Sequence, residues 1–407
     1  MRAAAAALLL LIAAAAPGAD EPAPVADDAP AQLLGWREGL QPLAPQNFKV
    51  LPFARGLDAP HALLVLPNGD VLVAESRGAN ERGAKSANRV TLLRDSTGAG
   101  IADQQFVMLK DLDRPSALAL RRDRLLVAGA DGVLSCPFLV GQTRMHGDCH
   151  TLAELPSAGG YDHWTRGLAL DPDESHLYVS VGSSGESAPD ARDLAETDRA
   201  SILVLAPEGR GRRSYATGLR DPGGLAVEPG RGRLYAAVGA RPPADGEGPE
   251  DFFTRIEEGA FYGWGTPAAR AGHPPKAGAL DVALGTGAVP RALLFYTRDH
   301  FPKGMRGGAF IALAGGAERF APAGYRVVHV PFADGRPAGP PQDFLTGFVR
   351  DARAHSINAR PLALAVATDG TLLVADDAGM IWRVVFKCAA CTPDPVPVHP
   401  HDKHPNG

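Results

Sequence analysis

The chain has 407 residues, a formal charge of −5 and 45% apolar residues, with 47 Gly and 36 Pro. Such apolar content supports a large core and excludes wholesale disorder, while the Gly and Pro usage argues against a helical bundle. Mild acidity spread along the chain argues against a nucleic-acid binder, which needs a concentrated basic face. The basic residues are lopsided, 34 Arg to 7 Lys, which fits either biased codon usage or guanidinium groups that grip carboxylates.

From the N-terminus, Arg2 and the apolar run from Ala3 to Ala16 read as an export signal over residues 1–19. The run is shorter than the about 20 residues a membrane span takes, and no later segment reaches that length. The expected protein is therefore periplasmic or secreted, with no span in its mature chain. Residues 20–46, rich in Pro, Ala and Asp, read as a flexible leader, and Phe48 to Ala54 reads as a strand.

Beyond that strand one pattern recurs: a small polar turn, an apolar run, a Gly/Asp/Pro turn and a β-rich run. It appears as PHALLVLPNGDVLVAE (60–75), PSALALRRDRLLVAG (115–129), TRGLALDPDESHLYVSVG (165–182), PGGLAVEPGRGRLYAAVG (222–239) and PLALAVATDGTLLVAD (361–376). A weaker copy is RGGAFIALAGG (306–316) followed by YRVVHVPF (325–332), after a longer gap. Each copy starts with a hairpin, and a period near 50 residues built from antiparallel strands is a propeller blade. The expectation is an all-β, six-bladed propeller of four-stranded antiparallel blades over 47–387, with Phe48 to Ala54 completing the last blade beside Ile381 to Phe386. Residues 190–199 are the best helical candidate, and 388–407 form a Pro/His-rich tail.

Cysteine order suggests pairs Cys136–Cys149 and Cys388–Cys391, as an oxidising compartment allows. Cys388-Ala-Ala-Cys391 has the spacing of a c-type haem site, but Thr392 follows where a His ligand is needed.

In a propeller the residues just upstream of each inner strand meet at one rim of the axis. Stacking the copies puts His61, Arg114, His163 with Arg166, Arg220, Arg306 and Arg360 there. The arginines have two readings. They cap the blades and pair with nearby Asp58, Asp113, Asp162 and Asp221, or they converge on a multiply anionic ligand that relieves their repulsion. His163 suits a general base near neutral pH. Trp164 is either a stacking surface for a sugar or a packing residue. The loop PPADGEGPED (242–251) carries Asp245, Glu247, Glu250 and Asp251, oxygen ligands of the kind Ca²⁺ takes or simply a solvated acidic loop.

Several longer motifs resemble the soluble quinoprotein sugar dehydrogenases, in particular the sorbosone-dehydrogenase-like branch. They are GLDAPHALLVLPNGDVLVAE, DHWTRGLALDPD with LYVSVGSSG, GLRDPGGLAVEP, GPEDFFTRIEEGAFYGWG, GYRVVHVPFADGRPAGPPQDFLTGF and RPLALAVATDGTLLVADDAG, from about residue 48 to 386. The resemblance implies a six-bladed propeller binding pyrroloquinoline quinone (PQQ) and Ca²⁺ at its axis. It implies His163 as general base, Arg220 and Arg360 on the quinone, and Gly248 and Pro249, with Glu250 and Asp251, around the calcium. Arg114, Arg166 and Arg319 join the implied cofactor site, as does Asp221, which stands where the family has Asn. The branch's His-Gly-Ser-Trp-Asn-Arg segment reads AGGAERF here, with Arg319 retained, and its Asn-Glu-Arg-Asp segment reads GARP at 239–242. The implied reaction oxidises an aldose or sugar aldehyde and passes electrons to a periplasmic acceptor. Two other readings stay open: a Ca²⁺-dependent lactonase-like hydrolase, which an Arg-rich rim disfavours, and a non-catalytic binding propeller.

Overall fold

The computed structural model describes residues 29–78, 85–157, 163–185, 197–240, 250–265, 276–316 and 320–387. Strand dominates; among the described residues the one helical element is a short 3-10 turn at Lys303–Met305. Most of the helical candidate at 190–199 lies outside the described residues, as do the tail and the Cys388–Cys391 pair.

Among the described residues, six sheets of four or more strands follow along the chain. Sheet one is Pro60–Val65, Val71–Glu75, Arg89–Arg94 and Gln104–Leu109. Sheet two is Ala117–Arg121, Arg124–Ala128, Gly132–Pro137 and His150–Glu154. Sheet three runs Leu168–Leu170, Leu177–Val181, Ser201–Leu205 and Arg213–Thr217, and is extended in parallel by Ala260–Phe261 and Lys276–Ala277. Sheet four is Asp221–Glu228, Arg233–Gly239, Phe252–Arg255 and Val282–Ala283. Sheet five is Pro290–Phe295, Ala309–Leu313, Arg326–Val330 and Gln342–Leu345. Sheet six is Pro361–Val366, Leu372–Asp376 and Ile381–Phe386, with Phe48–Ala54 on its outer edge. The first strand of each sheet lies against that of the next, and Pro361–Val366 lies against Pro60–Val65.

The second strands explain why the repeats read as unbroken apolar runs. Val71–Glu75, Ala309–Leu313 and Leu372–Asp376 are buried at every position. Successive side chains point to opposite faces of a strand, and here both faces are covered. Val71 and Val73 pack with Leu373 and Ala375 of sheet six, whereas Leu72 and Leu92 pack with Leu125 and Val127 of sheet two. Alternation thus sorts residues between two neighbouring sheets instead of between core and water.

Sheet five departs from the expected pattern. The copy placed at 306–316 is its second strand, and its first strand is Pro290–Phe295. The two are joined by a long link that holds the 3-10 turn, so the short hairpin turn that marks the other copies is missing. The disulfide expected between Cys136 and Cys149 is present in sheet two.

Residues 29–46, which composition assigns to a loose leader, dock along sheets five and six. Gln32–Leu33 pairs in parallel with Ser356–Ile357, and Leu43 bridges Thr346. The Trp36 indole packs edge-on against Phe348 and Trp382 and donates to Asp376 Oδ2 at 2.7 Å. Trp382 donates to the same oxygen at 2.8 Å, and the Ala378 and Met380 amides reach Oδ1. Composition says nothing about an indole finding a buried carboxylate 340 residues further along the chain.

Burial pushes the Asp376 carboxyl up to about 7, with neighbouring Asp377 adding to the rise and the two indoles opposing it. A folded value above the free one means the native state takes up this proton more readily than the unfolded chain. The group's stabilising contribution is full below pH 4 and is lost as pH rises through 7. Asp251, raised by burial to about 6, acts in the same direction. His61, pushed down to about 3, works against this trend over the same interval, so the carboxyl is read by difference in calorimetric melting: between pH 4.5 and 7.5 the wild type should lose roughly 2 °C more of Tm than Asp376→Asn. That difference should hold whatever the substitution does to the absolute Tm; an equal pH dependence in the two proteins would rule the carboxyl out as its source.

Candidate active site

The starts of the six first strands converge on a common hub. The His61 ring of sheet one meets Trp164, at the entry to sheet three, edge-on at 4.9 Å. Arg114, at the entry to sheet two, lies over the same indole at 6.0 Å. Arg291 of sheet five donates through Nη1 to Asp221 Oδ2 of sheet four at 2.8 Å and to Thr165 Oγ1 at 3.2 Å. Five sheets therefore contribute side chains to one place.

His163 is buried there. Its Nδ1 lies 3.0 Å from Ser183 Oγ and 3.2 Å from the Ser183 carbonyl. The serine hydroxyl donates to the Gly185 carbonyl at 2.9 Å, so both partners of Nδ1 act as acceptors. Nδ1 consequently carries the proton, which makes Nε2 the basic nitrogen. Gly182 lets the ring sit this close: a Cβ there would fall 2.3 Å from His163 Cβ. The Ser183 amide donates to the Arg220 carbonyl at 2.7 Å and so ties sheet three to sheet four beside the histidine. Asp162 lies outside the described residues.

The sequence-derived arginines have different surroundings. Arg166 is fully buried and gives Nη1 to the His163 and Thr165 carbonyls and Nη2 to those of Ala130 and Pro156. Burial, then Arg199 and Arg114, bring it down to about 9, still charged at neutral pH. It fastens sheet two to sheet three. Arg114 presents Nε and Nη2 to Asp113, and Arg360 presents Nε to Asp377 at 2.6 Å. Arg220 lies over Trp264 at 5.4 Å. Arg306 is not at the hub entry: it binds the Phe301 and Asp299 carbonyls inside the sheet-five link.

Asp pairs with Arg around the hub: Asp58 with Arg77, Asp113 with Arg114, Asp221 with Arg291, Asp377 with Arg360. The chain thus supplies counter-charges of its own, and mutual repulsion alone does not require an external anion. Asp221 is buried; burial opposes its ionisation, but Arg291, His163 and Arg220 outweigh that and hold its carboxyl below the usual range. Its Oδ1 and the Trp264 Nε1 are buried without a hydrogen-bond partner among the described residues.

Of the residues expected around calcium, Gly248 and Pro249 lie outside the described residues, as does Arg319. Glu250 is exposed. Asp251 is buried, and its two oxygens accept from the Ala240 and Val289 amides, each at 2.7 Å, which joins sheet four to sheet five. Among the described residues no three His, Cys, Asp or Glu side chains group as a metal site.

Arg291 and Thr165 have no place in the sequence-derived ring. A signal for Arg291 exists: Pro-Arg-Ala-Leu-Leu-Phe at 290–295 repeats the Pro-led opening of PHALLV, PSALAL and PLALAV. It was masked by the missing hairpin turn. His61 is also informative: burial, then Arg291, Arg360 and Arg77, push its imidazole down to about 3, so it is neutral at physiological pH.

An all-β protein of successive antiparallel sheets, with arginines gathered where their first strands begin, is the class that fold and site define. Solved structures of similar fold include a Trichoderma reesei carbohydrate-active enzyme of family AA12, at 18% identity and a TM-score of 0.69, covering 90% of this chain and 100% of that one. The PQQ domain of Coprinopsis cinerea pyranose dehydrogenase, in its holo form, gives 19% identity and 0.67, covering 86% and 98%. The PQQ-bound aldose sugar dehydrogenase of Streptomyces coelicolor gives 18% and 0.57, covering 84% and 99%. Likeness at these identities establishes the fold. An uncharacterized protein of Borreliella burgdorferi is 25% identical over 248 residues; the match spans 58% of this chain and 64% of that protein, less than two thirds of its length. No family model matches the chain.

Proposed function

We propose that the protein is a PQQ-dependent dehydrogenase of the sorbosone-like branch, oxidising an aldose or related sugar aldehyde. The proposal includes a six-bladed propeller whose last blade is completed by Phe48–Ala54, in line with the pairing of that strand with Ile381–Phe386. One observation carries the reading: separate sheets bring Arg114, Arg291 and the buried His163, its Nδ1 held by Ser183, to a shared hub. The residues present fit the cofactor. Guanidinium groups suit a flat polyacid, the Trp164 and Trp264 rings offer apolar faces, and the unpartnered Asp221 Oδ1 suits a cation. Arg114, Arg220 and Arg360 would hold the quinone's carboxylates, with Ca²⁺ among Asp221 and the Gly248–Asp251 segment.

When bound, PQQ supplies a two-electron acceptor for the substrate's hydride and Ca²⁺ a Lewis acid. His163 takes the hydroxyl proton at Nε2, and Ser183 holds the ring in the tautomer that leaves that atom basic. Asp221 and Arg291 hold opposite charges beside it. A periplasmic acceptor would take up the electrons. Export through residues 1–19 accords with the Cys136–Cys149 disulfide, which an oxidising compartment preserves. No helix among the described residues is long and apolar enough to cross a membrane.

Titrating purified protein with PQQ and Ca²⁺ and following its absorption tests cofactor binding without choosing a substrate; dye reduction with a sugar panel then tests turnover. Saturable binding with turnover is the expected result. A second reading, a non-catalytic binding propeller, is favoured by the aspartate beside each of four hub arginines. Saturating PQQ without any spectral change would leave that reading standing and remove the first.

A further inference from the structure

Arg291 stands second in the first strand of sheet five, behind Pro290. Sheets four and five approach closely beside it: a Cβ on Gly223 would fall 2.2 Å from the Pro290 carbonyl oxygen. That contact sets Arg291 next to Asp221, and Nη1 alone makes both its bonds, to Asp221 Oδ2 and Thr165 Oγ1. Nε and Nη2 make no hydrogen bond among the described residues, and the side chain is 20% exposed. These two nitrogens form the side-on edge that matches both oxygens of a carboxylate. The corresponding edge of Arg114 already faces Asp113, and that of Arg306 faces two carbonyls. Arg291 is thus anchored at one end of its guanidinium and open at the other. A bond to two different sheets also removes most of the rotamer freedom a ligand would otherwise have to freeze.

We propose that Arg291 grips a carboxylate of the hub ligand through Nε and Nη2, with Asp221 and Thr165 as the residues that position it. The ligand class follows from the reading above, a rigid aromatic polyacid, and the proposal rests on that reading for the identity of PQQ. The test is PQQ titration of the full-length apoprotein by absorption. Arg291→Gln should weaken binding at least tenfold, and Arg306→Gln, which changes an arginine of the same sheet outside the hub, should leave it unchanged. Asp221→Ala should weaken binding several-fold, and Asp221→Asn, which keeps an acceptor for Nη1, should recover part of that loss. Equal affinity of wild type and Arg291→Gln overturns the proposal, and wild-type affinity in Asp221→Ala overturns the positioning role.

A measurement on the unaltered protein guards against a variant that fails to fold. Phenylglyoxal labelling of Arg291, read by peptide mass mapping, should be suppressed by saturating PQQ; undiminished labelling with PQQ bound overturns the proposal. If the wild type binds no PQQ, the functional reading fails separately. Pyridine-2,6-dicarboxylate then takes its place: binding lost in Arg291→Gln upholds the arginine's role, and binding indifferent to it, or none, overturns it.

Discussion

His163→Ala should lower sugar-dependent dye reduction of the PQQ-loaded protein by about a hundredfold to ten-thousandfold, the range a positioned general base contributes. PQQ affinity should stay within a few-fold of wild type, because the arginines are untouched. The split between the two readouts is what identifies a proton acceptor. Ser183→Ala should be far milder, a few-fold, since the Ser183 backbone carbonyl remains as an acceptor for Nδ1–H at 3.2 Å. A His163→Ala variant with full turnover would remove the histidine from the mechanism. If PQQ binding collapsed together with turnover, its role would be structural.

Gly182→Ala should be nearly as damaging by a purely steric route. The added methyl would lie 2.3 Å from His163 Cβ, 3.0 Å from its carbonyl oxygen and 3.4 Å from the Arg220 carbonyl oxygen. None of these atoms is the end of a flexible side chain, so the backbone must move. Overpacking of this kind costs about 1–3 kcal/mol, and a displacement near 1 Å at a reacting group can cost about a hundredfold in rate. The expected outcome is a folded protein with a lower Tm and turnover down by one to two orders of magnitude. Gly185→Ala is the matched comparison: nothing lies within 4 Å of its Cβ position, and it should be close to neutral. Equal activity of the two variants would show that the hub tolerates movement of His163.

The repeat was legible in the sequence because each two-sided strand needs an unbroken apolar run and most hairpins need a marked turn. Val71–Glu75 and Leu372–Asp376 could be placed from those signals alone. Pro290–Phe295 could not, since the link after it carries no such turn. At the hub, position along the repeat identified which residues arrive, but not which donors stay available on arrival. Arg166 and Arg114 read alike in sequence, yet one faces four carbonyls and the other an aspartate. That difference is set by which neighbouring sheet offers an acceptor, a long-range fact with no local spacing. Trp36 and Asp376 are a similar case, 340 positions apart in the chain and joined by one bond.

Phe48–Ala54 finds its partner, Ile381–Phe386, at the far end of the polypeptide. On a chain emerging from its N-terminus, a strand made early must wait for one made far later, and until then both edges stand open to wrong partners. Pairings this remote make folding slow. Maturation should accordingly end in one late, cooperative step, with vulnerability to aggregation concentrated in the interval before it.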